Sequence, residues 1–201
     1  MTSHPGAPAA ASAVVPAGRL AAGDQPVLPL GGGLELRPWR LDDADAGVLL
    51  AAGQDPDISH WNLFRVDSRT EARDRIARMH HRRTPGTGAV WAVAPPGGAA
   101  IGLAGLNDVD PADGSAEVVY WVLPEARGGG IAVLAARRLG RWALDELELR
   151  RLTLRHSTAN PASCRVAERA GYVLEGTMRD ALAHADGRHD VHLHALVAGE
   201  A

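Results

Sequence analysis

The residues whose types and spacing carry the clearest chemistry are Arg127-Gly128-Gly129-Gly130-Ile131-Ala132. They follow the apolar run Val118-Val119-Tyr120-Trp121-Val122 and open a segment whose apolar residues recur at spacings of three and four. A strand that ends, a glycine-rich loop and a helix that begins make an anion site. The first backbone N–H groups of a helix have no partner within it, the helix dipole makes that end positive, and glycines let a phosphate come close. The plainer alternative is a loop that only turns the chain. The sequence contains no lysine, and all 21 of its basic residues are arginine. That excludes a lysine-dependent phosphate loop, as well as Schiff-base and pyridoxal chemistry. A dinucleotide-binding unit is rejected too. From Gly128 the run reads Gly-Gly-Gly-Ile-Ala-Val without the third glycine of that motif, and the upstream strands follow one another as a meander. What remains is anion binding by main chain, or a loop that only turns the chain.

Other chemistry-bearing residues lie close by in sequence. Glu117 precedes the same apolar run and is placed to accept a proton through water, with a structural carboxylate as the alternative. His192 and His194 fall on one face of a strand, and His184 and His189 flank the turn Asp186-Gly187. A pair with scattered partners is poor ligand spacing, so no metal is expected. The single cysteine, Cys164, cannot form an internal disulfide or a multi-cysteine zinc site and is expected as a small core residue.

The elements that must position these groups can be read from pattern. Leu34–Trp39 alternates and meets Pro38, which suggests a first strand at or near an edge. Asp42-Asp43 opens a helix that Gly53 to Asp57 breaks, and Ser68-x-x-Glu71 caps another that runs to about Arg82. Strands follow at Ala89–Ala94, Ala100–Leu106 and Ser115–Leu123, the last expected to be buried on both faces. A long helix runs to about Leu147, then a strand over Arg150–His156. A short helix runs from the cap Asn160-Pro161 to Gly171, and a final hairpin closes the chain. This is a mixed α/β sheet in one domain over residues 34–201. Residues 1–33, rich in Ala, Pro and Gly, read as a flexible arm with partial order near Val27–Leu30, its first ~30 residues dispensable for folding and catalysis, the alternative being a segment that holds a partner or a second copy in a homodimer.

The 201 residues suffice for one well-buried core, and 46% hydrophobic with 22% charged residues is ordinary globular usage. A net charge of −3 offers no basic surplus for nucleic acid, so no nucleic-acid partner is expected. No apolar run is long enough to span a membrane, and with no secretory signal and one thiol the expected location is the cytoplasm.

Arg127-x-x-Gly130-x-Ala132 resembles the pyrophosphate-loop pattern Gln/Arg-x-x-Gly-x-Gly/Ala of the GNAT superfamily of acetyl-CoA-dependent N-acyltransferases. Further segments resemble its Rim-type branch, the ribosomal-protein N-terminal acetyltransferases. They are Leu36-Arg37-Pro38-Trp39 with Asp42-Asp43, Ala116-Glu117 before Tyr120-Trp121, Asn160-Pro161-Ala162-Ser163, Glu168-Arg169-Ala170-Gly171-Tyr172, Glu175-Gly176 and Gly187-Arg188-His189-Asp190-Val191. The resemblance implies a mostly antiparallel sheet of about seven strands, splayed at the cofactor site and flanked by about four helices. It implies acetyl-CoA as co-substrate, with no metal. Main-chain groups of Tyr120, Trp121 and Val122 would face the pantetheine and polarise the thioester. Arg127, Gly128, Gly129, Gly130, Ile131, Ala132 and Val133 would hold the pyrophosphate, and Asn160 would touch the cofactor. The family's usual tyrosine acid falls at Ala167 here, and Ser163 occupies the position of the Rim-type substitute. The catalytic glutamate of that branch falls at Leu182. Glu117 and Ser163 are therefore the expected catalytic pair, and His60 and Trp61 the expected substrate contacts. The acceptor implied is a primary amine: a protein N-terminus, an amino acid or another small amine, antibiotics included. The alternative is an acyl-CoA-binding module without catalysis.

Overall fold

The computed structural model describes residues 15, 16 and 18–199. Eight strands form one sheet: β1 Leu28–Gly31, β2 Leu34–Pro38, β3 Ala89–Ala94, β4 Gly102–Asp110, β5 Ser115–Val122, β6 Arg151–Ser157, β7 Val173–His184 and β8 Gly187–Val197. Their spatial order is β1-β2-β3-β4-β5-β6-β8-β7, and every pairing is antiparallel except β5 with β6. Five helices join them: α1 Asp43–Gln54, α2 Pro56–Asn62, α3 Arg69–Arg83, α4 Ile131–Asp145 and α5 Pro161–Ala170. The expected mixed α/β architecture holds, with one strand and one helix more than the resemblance implied.

Caps in the sequence set the helix starts. Asp42 accepts from Asp45 N, Asp55 from Ile58 N with Pro56 in the first turn, Ser68 from Glu71 N, and Asn160 from Ser163 N. The helices cover both faces of the sheet. On one face Leu139, Trp142 and Ala143 of α4 and Ala167 and Ala170 of α5 pack with Trp91, Leu106, Leu152 and Leu154. On the other, Leu49 of α1, Ile58 of α2 and Ile76 of α3 pack with Trp39, Leu103 and Trp121. A buried ion pair holds α1 to β2, since both Arg37 guanidinium nitrogens Nη1 and Nη2 donate to Asp45, each at 2.7 Å.

Three expectations hold only in part. The arm of residues 1–33 is not loose over its described part. Val15, Leu20, Leu28 and Leu30 are buried in the main core, β1 pairs with β2, and Trp91 Nε1 donates to the Pro26 carbonyl. The remainder of the arm lies outside the described residues. Leu34–Trp39 lies near the sheet edge as expected, but as the second strand, because β1 covers it; Pro38 is tolerated as the last residue of β2. β5 is covered on both faces, Ala116 and Val118 packing in one core layer and Trp121 in the other, but Glu117, Val119 and Tyr120 are only half-buried where they line a cleft.

Candidate active site

The site arises where two neighbouring strands stop pairing. β5 and β6 run parallel, but their register covers only Ser115–Glu117 against Arg151–Thr153. Beyond Glu117 they diverge, so the β5 edge from Val118 onward has no β6 partner and presents main-chain groups to a cavity of about 800 Å³. The cavity runs from Leu182 and Trp61 at one end to the start of α4 at the other.

That far end is the glycine loop. A short 3₁₀ turn at Pro124–Ala126 follows β5, and Gly130 is the N-cap of α4 with φ 74°. Gly128 has φ 86°. Both conformations are costly for a side-chain-bearing residue, yet a Cβ at either would meet nothing within 4 Å. Glycine is therefore set here by backbone conformation, and the space before the helix is open. No side chain caps α4, so its first N–H groups face that space unpaired by a cap.

The cavity wall brings together Glu117, Tyr120, Trp121, Val122, Arg127, Gly128, Gly130, Ile131, Ala132, Val133, Asn160 and Ser163, along with Trp61. Gly129 lies between two wall residues without lining it, and His60 stands behind Trp61, their rings 4.3 Å apart edge to face. Arg127 departs from its expected role. Its guanidinium is engaged by Asp57 at 2.9 Å and Asp55 at 3.1 Å, and its Nε donates to the Val122 carbonyl. It pins the loop to α2. Asn160 also has a structural task, since its side chain caps α5 through Ser163 N at 3.1 Å.

Two polar constellations flank the splay. Glu117 accepts from Arg155 Nε at 3.0 Å and Nη2 at 2.5 Å, so the carboxylate expected as a lone base is held by a guanidinium. Opposite, the Tyr120 hydroxyl lies 2.8 Å from Ser163 Oγ. Burial pushes the Tyr120 pKa up to about 12, against the opposing pull of the Ser163 hydrogen bond. The sequence suggested Tyr120 only for its backbone. Its phenol sits where the start of α5 meets the cavity, supplying a tyrosine hydroxyl that Ala167 cannot.

A third constellation was not read from the sequence. Ser157 Oγ lies 2.6 Å from His189 Nδ1, and His189 Nε2 lies 3.0 Å from Asp186 Oδ1. Ser157 lines the cavity, and His189 packs with the His60, Trp61 and His184 rings. The β8 crossover between β6 and β7 brings these residues together, and no local spacing signals it. Next to the main cavity, Arg75, Arg78, Arg82 and His81 of α3 line a second one, which shares Asn62, Asn107, Val119 and Trp121 with the first. Arg75 has its pKa lowered by burial first and by the neighbouring Arg78 charge second. No helix of the described residues is long and apolar enough to cross a membrane.

Comparison with known proteins agrees with this geometry. The acetyltransferase (GNAT) domain family matches residues 33–173. The ribosomal-protein-serine acetyltransferase of Escherichia coli is 34% identical over 97 residues, which is 48% of this chain and 54% of that protein. The chain thus spans about half the length of that curated relative. The uncharacterized N-acetyltransferase p20 of Bacillus licheniformis is 28% identical over 83% of this chain and 94% of its own. Among solved structures, a probable acetyltransferase superposes with a TM-score of 0.78 at 26% identity, covering 87% of this chain and 98% of the other. A strand pair splayed over a cap-free helix start, with a family match over most of the domain, leaves one conclusion: the chain belongs to the acetyltransferase (GNAT) domain family.

Proposed function

We propose that this protein transfers the acetyl group of acetyl-CoA to a primary amine by direct attack in a ternary complex. The observation that carries this reading is the β5–β6 splay. It leaves an unpaired strand edge for the pantetheine arm and leads it to the positive-φ loop of Gly128 and Gly130 at the start of α4. The pyrophosphate is held by main-chain N–H groups of residues 128–133, Arg127 shapes the loop, and a β5 N–H polarises the thioester carbonyl. Asn160 contributes by fixing the start of α5 beside the cofactor.

The departing thiolate needs a proton, which Ser163 supplies with Tyr120 behind it. The raised pKa keeps the phenol protonated through the working pH range, so it can replenish the serine proton. The incoming amine must lose a proton. Glu117 takes it through water, with Arg155 fixing the carboxylate. A second reading of the base is favoured by one observation, the continuous Ser157–His189–Asp186 array at the acceptor end, where His189 takes the proton. Turnover of the two variants separates them. Glu117→Gln should lower kcat by ~10²-fold, within the range of general-base assistance, with acetyl-CoA affinity kept. If His189→Gln does so while Glu117→Gln does not, His189 is the base.

The acceptor enters past His60 and Trp61. The arginine-lined second cavity favours an amine with a carboxylate or phosphate nearby, such as the N-terminus of an acidic peptide. Incubation with acetyl-CoA and a panel of peptides and small amines, read by mass, tests the reading. An acetylated amine with stoichiometric thiol release supports it. Cofactor binding without transfer to any amine would favour a non-catalytic acyl-CoA-binding module.

A further inference from the structure

Three histidines and the single cysteine meet on the face of β6 that α5 covers, where His156 also borders the main cavity. In the β6–β8 register His156 stands opposite His192, and Leu154 opposite His194. Side chains alternate along a strand, so His192 and His194 share a face, and the directly paired His156 shares it with them. Leu154 and Leu196, on that face, pack with Ala167 and Ala170 of α5, so α5 covers it. Cys164 lies in the first turns of that helix. One ligand atom from each of His156, Cys164, His192 and His194 lies within 4.8 Å of the other three. His194 is fully buried and His156 is 5% exposed.

The hydrogen bonding suits metal ligation. His156 Nδ1 lies 2.8 Å from the Ser157 carbonyl, which can only accept, so the proton is on Nδ1 and Nε2 carries the lone pair. That Nε2 faces His194 Nε2 at 3.2 Å. Two nitrogens each ~2.0–2.1 Å from a tetrahedral ion stand ~3.3–3.4 Å apart, so the pair already has the span of one edge of a zinc tetrahedron. His192 Nδ1 and His194 Nδ1 are buried without hydrogen-bond partners. The half-buried Cys164 and His192 can close the longer edges by side-chain rotation.

We propose that His156, His192, His194 and Cys164 bind one Zn²⁺ as a closed, structural four-ligand site that ties α5 to β6 and β8. One thiolate and three imidazoles fill a tetrahedron and leave no open position, so the ion takes no part in acyl transfer. Binding releases the thiol proton to solvent and forms the metal–sulfur bond, with no redox change. The clamp holds the helix that carries Ser163, the neighbour of Cys164. It does not rest on the acetyltransferase reading, because metal content is measured without substrate.

The test uses full-length protein purified without metal-affinity resin or chelator. Wild type should carry about one zinc per chain by plasma emission, as a single closed site requires. Protein stripped with a chelator and given Co²⁺ should show the intense visible bands of a tetrahedral ion and a thiolate-to-cobalt charge-transfer band in the near ultraviolet. Cys164→Ser should keep a native circular dichroism spectrum and lose the charge-transfer band. It should also weaken zinc binding by more than the ~10–100-fold that losing an outer partner costs. His192→Ala, at a half-buried position, should weaken it likewise. Absence of zinc together with an octahedral cobalt spectrum would overturn the proposal and leave a buried neutral imidazole cluster. Equal uptake by wild type and Cys164→Ser would overturn the ligand set.

Discussion

The two ends of the cavity are built from different material. At the cofactor end the working groups are main chain: the unpaired β5 edge, the glycines at positive φ and the uncapped first turn of α4. Its one charged side chain in the loop, Arg127, is spent on Asp55, Asp57 and a carbonyl. At the acceptor end the working groups are side chains from five separate stretches: Glu117 with Arg155, Tyr120 with Ser163, the Ser157–His189–Asp186 array, and the α3 arginines. A main-chain site needs only a backbone path, which any sequence with the right glycines can hold. A side-chain site needs identities at positions far apart in the chain. Affinity for the donor and choice of acceptor can therefore change independently.

The comparison breaks most severely if the foundation of the acceptor end is removed. Asp45 ties α1 to β2, and leaving Arg37 buried without its partner should cost about 3–5 kcal/mol. Asp45→Asn should lower the urea midpoint accordingly. Burial raises the Asp45 pKa, but the hydrogen bonds from Arg37 and Arg40 and their charges outweigh it, so the net shift is downward. A carboxylate with a depressed folded pKa contributes stability above its unfolded value and loses it as pH falls through the folded one. In wild type that loss should come below about pH 4, and in Asp45→Asn it should be absent.

Next in size is the cofactor end itself. Gly130→Asp forces a side chain into a positive-φ position and sets a carboxylate against the pyrophosphate. Acetyl-CoA affinity should fall by at least ~10²-fold, as two charge-assisted contacts are lost. Arg127→Ala should cost less than ~10-fold, acting through loop order alone.

On the acceptor side, Tyr120→Phe should lower kcat by ~10²-fold with the KM for acetyl-CoA unchanged. A general acid works below its pKa, so with the phenol at about 12 the wild-type rate should show no alkaline loss from Tyr120 up to about pH 10. Smaller than the effect of Tyr120→Phe is that of Arg78→Ala. It should raise the KM of an acidic acceptor by ~10-fold and leave that of a neutral amine in place, the signature of one lost charge-assisted contact.

What could be read from the sequence divides along the same line. The loop, the strand before it and the α5 start were legible because glycine, the Asn160-Pro161 cap and apolar period act locally. α2 was missed because Gly53 to Asp57 reads as a breaker, although Asp55-Pro56 is itself a cap followed by a first-turn proline. Of β1 only some order near Val27–Leu30 was legible, because Pro29 interrupts a four-residue strand in an Ala/Pro/Gly-rich stretch, yet Leu28 and Leu30 bury the alternate positions. The splay was implied by resemblance to a family and not by any residue pattern. The Tyr120 phenol, the Ser157–His189 contact and the meeting of His156 with His194 depend on β8 inserting between β6 and β7 or on α5 packing over the sheet, and neither leaves a local trace.

The division between a main-chain donor site and a side-chain reaction site is tested most directly by calorimetric titration of acetyl-CoA into wild type and the Tyr120→Phe, Ser163→Ala double variant, alongside their turnover rates. The account predicts dissociation constants within about twofold of each other, while kcat falls by ~10²-fold or more. A dissociation constant that rises in step with the loss of rate would contradict it, because the hydroxyl pair would then be holding the cofactor and not moving the proton.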